Sequence, residues 1–450
     1  MPSSKQSDRV PSNVLAFAQQ LLQPQGLSHI QEVVLTMCWA GDTYQTIAEA
    51  TGYDDSYIRA VGAQLWHSLS EALGHKVTKY NFRVILKQQL PHEESSDLLL
   101  RNGSVIALEL PRGQVPLESP FYIERSSIES ECYRSIGEPG ALIRIKSSRQ
   151  TGKTSLMSRI IAFARNHDYV TVTLNLELAS TDILSDVDRF LRWFCVMVSK
   201  ALDLPARVED YWEALCGSSY NCSEYFESYL LATSPEPIVL ALDNVDIIFS
   251  YPEVASNFFG MLRAWYESAR YGSAESDTWQ KLRLVVVYST EVYIPLPIHQ
   301  SPFNVGMLVE LPNFTAEQVA LLIARYQLNW SEADIAALMS LVGSNPHLVR
   351  LTLYHAKRSS MSLGQIRENA IAPSSIYIAH LQEKFWALQP HAHLLEGIKQ
   401  VMTAATPQEL DPVTLLKLEG MGLVSINHGK ASSACDLYRL YFGNLFAQTL

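Results

Sequence analysis

One stretch constrains this chain more than any other: a short apolar run, Ala141-Leu142-Ile143 and Ile145, that feeds directly into Ser147-Ser148-Arg149-Gln150-Thr151-Gly152-Lys153-Thr154-Ser155 and then into the helical run Leu156-Met157-Ser158-Arg159-Ile160-Ile161. Strand, glycine-bearing loop, Lys-Thr and helix in that order are the parts of a phosphate-binding P-loop. Loop amides and the positive end of a helix offer donors to a β-phosphate. Lys153 then reaches the β- and γ-oxygens, and the Thr154 hydroxyl is placed to ligate Mg²⁺. The expected cradle is therefore residues 147 to 155 in full. One residue departs from the usual pattern: Ser147 stands where glycine is common, and its side chain removes backbone freedom there.

A second motif agrees with the first. Ile238-Val239-Leu240-Ala241-Leu242 is a continuous apolar run, as in a strand buried on both faces of a parallel sheet, and it ends in Asp243-Asn244-Val245-Asp246. That position suits Asp243 as the Mg²⁺-holding carboxylate of a Walker B strand. Asn244 follows where many hydrolysing relatives place glutamate. An amide orients a water but does not take its proton, so a general-base contribution of about 10²–10⁴-fold is missing at that position. Asp246 is the substitute within reach along the chain, and slow hydrolysis is expected. A third apolar run, Leu282–Tyr288, ends in Ser289 and Thr290, either of which suits a γ-phosphate sensor or a simple turn.

With these motifs in place, the chain resembles the AAA-like signal-transducing P-loop ATPases of cyanobacterial type, related to the STAND class of switch NTPases. Further residues carry the likeness: S-P-F-Y-I-E-R (119–125), Y-S-T-E-V-Y-I-P-L (288–296), Q-S-P-F-N-V-G (300–306), G-S-N-P-H-L-V-R-L (343–351), L-E-G-M-G-L-V (418–424) and C-D-L-Y-R-L-Y-F (435–442). The resemblance covers roughly residues 115–445. It implies a nucleotide switch that takes ATP or ADP with Mg²⁺, in which Tyr122 and Arg125 lie near the base and Pro346 closes on the adenine from a lid.

Residues 27–88 read differently. Ile30, Val33, Val34, Met37 and Cys38 recur at helical spacing, Tyr44, Ile47 and Ala48 make a second short helix, and Asp54-Asp55-Ser56 caps a third with Tyr57, Ile58, Val61, Leu65, Trp66 and Leu69. This is a helix-turn-helix pattern. With L-W-H-S-L-S-E-A-L-G (65–74) and V-T-K-Y-N-F (77–82), it resembles the N-terminal module of proteins associated with von Willebrand-A and MoxR-type genes. DNA-reading helices usually sit in a basic field. Here the first 90 residues hold seven Lys/Arg and seven Asp/Glu, and the third helix carries Arg59 beside Asp54 and Asp55. The cluster Lys76, Lys79, Arg83 and Lys87 is the one patch suited to a phosphate backbone. The whole chain is acidic, at net charge −11. A protein-docking role is therefore preferred over DNA readout.

Punctuation divides the chain into a disordered tail (1–24), the helix-turn-helix module (25–90), a linker (91–118), a P-loop core of parallel sheet with helices on both faces (119–310), a helical lid (311–392) and a winged-helix domain (393–450). Residues 105–110 suit a strand within the linker. Thr315 and Gln318 have capping-box spacing, and Asn427-His428-Gly429-Lys430 suits the turn of a winged hairpin, where His428 either meets a phosphate, as in some winged-helix relatives, or, as preferred here, is simply solvated. Trp193, Phe194, Tyr211 and Trp212 are expected in the core. Arg263 and Arg270 lie on a helical segment and would be the cations offered to a neighbouring copy, although solvated helix faces explain them as well. Six cysteines without C-x-x-C or metal-ligand spacing point to reduced thiols and a cytoplasmic setting. No 18-residue apolar stretch is present. The expectation is an ATP-binding, slowly hydrolysing switch that passes its state to a protein partner through residues 25–90 and forms nucleotide-dependent oligomers. The alternative is a DNA-binding regulator whose ATPase module controls oligomerisation.

Overall fold

The computed structural model describes residues 18–19, 21–22, 27–40, 42–73, 77–79, 81–82, 85–86, 108–271, 274–290 and 305–447. The tail 1–13, most of the linker, Lys76, Arg83, Lys87 and the segment 291–304 lie outside the described residues. The chain divides into two compact units, residues 1–107 and 108–450, a boundary that falls inside the span 91–118 read as linker.

In the first unit, helices α1 (His29–Ala40), α2 (Tyr44–Thr51) and α3 (Asp55–Leu73) enclose Val34, Leu35, Ile47, Ile58, Leu65 and Leu69. Thr43 caps α2 by accepting from the Thr46 amide, and Gly52 at φ 75° ends it, which produces the sharp turn into α3. Trp66 Nε1 donates to the Tyr44 hydroxyl at 2.7 Å, and the Lys79 ammonium lies 4.1 Å from the Tyr44 ring centroid. Lys79 is thus the described member of the basic cluster, and it sits over an aromatic ring.

The second unit is built on a five-stranded, wholly parallel sheet in the order β2-β3-β4-β1-β5. Its strands are β1 (Leu142–Ser147), β2 (Val170–Asn175), β3 (Ile238–Asp243), β4 (Leu282–Ser289) and β5 (Met307–Glu310). All of β3 and β4 is buried, which explains the apolar runs Ile238–Leu242 and Leu284–Val287; Arg283 in β4 is buried too and donates to the Ile136 and Gln280 carbonyls. Two cores flank the sheet. One lies under α4 (Ser126–Gly137) and α5 (Lys153–Arg165), around Ile143, Ile145, Leu156, Ile160, Val239 and Val285. The other lies under α6 (Val187–Ala201) and α7 (Pro252–Ser268) and is rich in aromatics, with Phe190, Phe194, Phe226, Phe258 and Trp265 in mutual contact. Trp193, Tyr211 and Trp212 pack against this core, and Phe194 is inside it.

The chain then becomes helical: α8 (Ala316–Arg325), α9 (Glu332–Val342), α10 (Pro346–Ser359), α11 (Ile378–Leu388), α12 (Ala392–Thr403) and α13 (Pro412–Gly420). The Thr315–Gln318 capping box is formed in both directions. An antiparallel hairpin, β6 (Val424–Asn427) and β7 (Lys430–Ser433), follows and leads into α14 (Asp436–Ala447). This is a winged-helix-like end. His428 sits in the hairpin turn at φ 50° and is exposed.

Candidate functional site

Because β1 leads away to the sheet's far edge at β2 while β5 joins its other side, the chain reverses direction in the sheet at β1. Such a reversal opens a crevice beyond the strand ends, where parallel sheets bind ligands. A cavity of about 430 Å³ occupies it, within the usual range for small-molecule sites. Residues 149 to 155, Asp243, Asn244, Asp246 and Ser289 line it from the sheet. Tyr122 and Arg125 line it from the segment before α4, and Pro346, His347 and Arg350 from α10.

The loop between β1 and α5 has the backbone a phosphate cradle requires. Gly152 adopts φ 103° and Gln150 φ 64°, so successive amides turn toward one concave face. Lys153 Nζ donates to the Ser147 and Ser148 carbonyls, at 3.1 and 2.7 Å. Thr151 Oγ1 donates to the Ser148 carbonyl at 3.0 Å, and Ser155 Oγ accepts from the Val115 amide at 2.9 Å. Ser147 lies in β1, paired with Ser289, and is absent from the positive-φ positions. Its hydroxyl donates to the Leu311 carbonyl at 2.9 Å. Serine there therefore carries no backbone strain.

Thr154 Oγ1 donates to Asp243 Oδ2 at 3.1 Å, which brings the ends of α5 and β3 together. Burial pushes the Asp243 carboxyl up from its ordinary range, opposed by hydrogen bonds from the Asn244 amide and Thr154 and by the Lys153 charge. A buried carboxylate and a hydroxyl side by side fit a hard, oxygen-seeking cation such as Mg²⁺. Asn244 is left-handed at φ 54° and its Nδ2 donates to Asn175 Oδ1 at 3.1 Å. Asp246 Oδ1 accepts from the Ser289 amide at 2.9 Å, so this carboxylate braces the tip of β4.

Tyr122 and Arg125, on the cavity wall, belong to a buried charged cluster. The Tyr122 hydroxyl donates to Glu129 Oε1 at 2.6 Å, Glu129 Oε2 accepts from the Arg125 amide, and the Arg159 guanidinium lies over the Tyr122 ring at 3.2 Å. Arg125 donates to the Thr151 carbonyl at 3.0 Å, while its buried Nε has no partner among the described residues. Burial lowers its pKa. An unsatisfied buried guanidinium nitrogen beside a phosphate loop suits an anionic ligand.

Residues 110–444 match the family model of the AAA-like domain. The chain belongs to the AAA-like domain family. It is an ATP-binding P-loop NTPase of a family capable of ATP hydrolysis. Residues 12–89 match the N-terminal helix-turn-helix of vWA-MoxR associated proteins, so this AAA-like ATPase carries that module ahead of its nucleotide unit. Among solved structures, it is similar to a Walker-type ATPase of Pyrococcus abyssi, at 12% identity and TM-score 0.51, covering 74% of this chain and 98% of that one. It also matches the Aeropyrum pernix ORC2 protein, at 14% identity and TM-score 0.39 over 75% of this chain and 97% of that one. A STAND protein with a tetratricopeptide repeat sensor from Pyrococcus horikoshii matches at 13% identity and TM-score 0.34, over 75% of this chain and 44% of that one. No curated protein matches the sequence. Among the described residues, no helix is long and apolar enough to cross a membrane.

Of the residues assigned to the nucleotide site from the sequence, three lie outside the cavity lining. Ser147 turns toward Leu311. The Ser148 side chain faces Gly422. Thr290 Oγ1 donates to the Gly420 carbonyl at 2.7 Å, so it touches the C-terminal helices and Ser289 takes the place at the cavity. Arg263 pairs with Glu267 on its own helix, and Arg270 donates to the Gly140 and Tyr266 carbonyls; both cations are engaged within the chain.

Several lining or bridging residues escaped sequence reasoning, Arg350, Glu177 and His380 among them. Arg350, one helical turn after Pro346, is buried against Phe121 and pairs with Glu109; its signal was an i,i+4 spacing from the lid proline. Glu177 lines the cavity just past the end of β2. His380 on α11 reaches the phosphate loop: its Nδ1 meets Gln150 Oε1 at 2.8 Å and its Nε2 meets the Tyr438 hydroxyl at 2.8 Å.

Proposed function

We propose that this chain is a nucleotide-operated switch. ATP enters the cavity with its phosphates on residues 149–155 and its base toward Tyr122, Arg125 and Pro346. Thr154 and Asp243 would hold Mg²⁺, which neutralises charge on the β- and γ-oxygens when bound. Hydrolysis is slow because Asn244, the residue directly after the Walker B aspartate, takes no proton and any base must act from another strand, and the lifetime of the ATP form is the output.

The observation that carries this reading is where the phosphate loop spends its own side chains. Arg149 and Gln150 both reach Glu383, at 3.4 and 3.3 Å, and Gln150 also meets His380. Beside them, Lys384 Nζ donates to the Met421 carbonyl at 2.8 Å, and Thr290, one residue past the γ-phosphate end, holds Gly420. A loop that must rearrange around phosphates is thereby tied to the helices that carry the winged hairpin. Two arrangements of those ties give the two states a switch needs. The test is the affinity of a fluorescent ATP analogue and of its ADP counterpart, with limited proteolysis of each complex. Distinct cleavage within residues 378–423 in the two states supports the switch; the same pattern in both argues against it.

A second reading has its own observation. Residues 12–89 match a helix-turn-helix family, and a winged hairpin closes the other end of the chain. Helix-turn-helix architecture at both ends favours a DNA-bound regulator whose ATPase module controls oligomerisation, more than it favours an output confined to protein docking. Against it stands charge: Arg59, on α3, pairs with Asp55 at 2.6 Å. Anisotropy with duplex DNA at two salt concentrations, with and without ATP, separates the two. Salt-dependent binding favours the DNA regulator.

A further inference from the structure

We propose that Glu177 is the general base of ATP hydrolysis, supplied from the strand next to the Walker B strand. The inference rests on the ATP reading above and names the residue that reading lacks. β2 lies beside β3, with Asn175 directly opposite Asp243. Asn175 Oδ1 does two things at once. It accepts from Asn244 Nδ2 at 3.1 Å and from the Glu177 amide at 2.9 Å. One carbonyl oxygen therefore ties the residue after the Walker B aspartate to the backbone of Glu177. Leu176, fully buried, anchors the single 3₁₀ turn of residues 176–178 to the core, while Leu178 faces outward. Between them Glu177 lines the cavity that Lys153, Thr154, Asp243, Asn244 and Ser289 also line.

Each rival carboxylate has at least one oxygen already engaged. Asp243 accepts from Thr154 and from the Asn244 amide. Asp246 gives one oxygen to the Ser289 amide. Glu383 accepts from Arg149 and Gln150 and lies outside the cavity lining. Among the described residues, the Glu177 carboxylate has no hydrogen bond or ion pair, and the residue is exposed. Its side chain is also one methylene longer than the aspartates, which adds reach toward a water.

The step balances without a further reagent. The water oxygen bonds to the γ-phosphorus and one of its O–H bonds breaks, the proton passing to a Glu177 oxygen. The bond from phosphorus to the β–γ bridging oxygen breaks, and its electron pair stays on ADP. Phosphate and ADP leave, and Glu177 returns its proton to solvent. Asn244, whose Oδ1 has no hydrogen-bond partner among the described residues, accepts from the same water and fixes its direction.

The test uses the full chain and Glu177→Gln, with three readouts: affinity for a non-hydrolysable ATP analogue, single-turnover phosphate release, and trapping of Mg·ADP with aluminium fluoride. The expected result is analogue affinity within threefold of wild type, phosphate release lowered by about 10²-fold or more, and loss of aluminium fluoride trapping. Glu177→Asp should restore part of the rate. Release within threefold of wild type in Glu177→Gln overturns the assignment, as does a wild type that binds ATP without hydrolysing it. Loss of release in Asp246→Asn with Glu177→Gln unaffected moves the base to Asp246. A wild type that does not bind the analogue removes the nucleotide reading itself, and this inference with it.

Discussion

His380 on α11 and Gln150 in the phosphate loop meet at 2.8 Å, although 230 residues separate them in the chain. Gln150 Oε1 accepts, so the His380 Nδ1 carries the proton and its Nε2 is left to accept from the Tyr438 hydroxyl. One neutral imidazole thus joins the nucleotide loop to α11 and α14. Burial, with the charge of Lys384 and the neighbouring His347 adding to it, pushes the His380 pKa down to about 3.

That neutral ring sets a pH dependence. Unfolded histidine takes a proton near its ordinary pKa of about 6.5, whereas folded His380 refuses one until about 3. The stabilisation is whole above pH 6.5 and is lost as pH falls toward 3, because the unfolded state binds the proton first. His347, lowered to about 4, acts in the same direction. The melting temperature of the full chain should fall between pH 6.5 and 4.5, and His380→Ala should flatten that slope. At neutral pH the same variant should lose roughly 2–4 kcal/mol, from the missing ring and an unpaired Tyr438 hydroxyl. A slope unaltered by the substitution would show that His380 is not the titrating group.

Lys153→Ala should abolish ATP binding. Its ammonium is held by the Ser147 and Ser148 carbonyls, beside the amides that would surround the β-phosphate, and no other lysine among the described residues lines the cavity. Calorimetry on the folded variant measures this directly. Unchanged affinity would dismiss residues 147–155 as the phosphate site.

Asp243→Asn should weaken Mg·ATP binding by tenfold or more while leaving metal-free ATP affinity within a few-fold. Because burial already disfavours the charged carboxyl, the amide should not lower the melting temperature and is expected to raise it slightly. Titrations with and without Mg²⁺ separate the two effects.

Much of the sheet is readable from sequence, because β3 is buried throughout and reads as an unbroken apolar run, while β1 and β4 read as apolar runs interrupted at Arg144 and Arg283. The P-loop and Asp243 were equally local, each a strand followed at once by its functional residues. Ser147 read as a defect only because a missing glycine is visible in sequence, whereas its extended backbone is not. Glu177, Arg350 and His380 were illegible for one shared reason. Each reaches the site from a segment whose register depends on a distant partner: Asn175 on Asp243, Arg350 on Phe121 and Glu109, His380 on Tyr438. Thr290 was read as a sensor from its strand-tip position, and only the packing of Gly420 against it reveals the other role. A Cβ at Gly420 would collide with the Thr290 carbonyl oxygen.

Asn244→Glu bears on rate. Its side chain now spans to Asn175, and a carboxylate at that position would add a second proton acceptor beside Glu177. Turnover should rise by about tenfold or more if the water is already in line, and the wild type should run well below the roughly 1–100 s⁻¹ of kinase-type transfer. Steady-state phosphate release from both proteins checks this, and fast wild-type turnover would contradict the slow-switch account.

Hydrogen exchange on the full chain, bound first to a non-hydrolysable Mg·ATP analogue and then to Mg·ADP, measures the coupling between nucleotide and C-terminal helices most directly. Protection over residues 378–388 and 418–423 should differ between the two states, because Arg149, Gln150 and Thr290 hold those segments from the phosphate end. His380→Ala should erase most of the difference. Equal protection in the two nucleotide states, with both ligands shown to be bound, would contradict the claim that this chain is a switch.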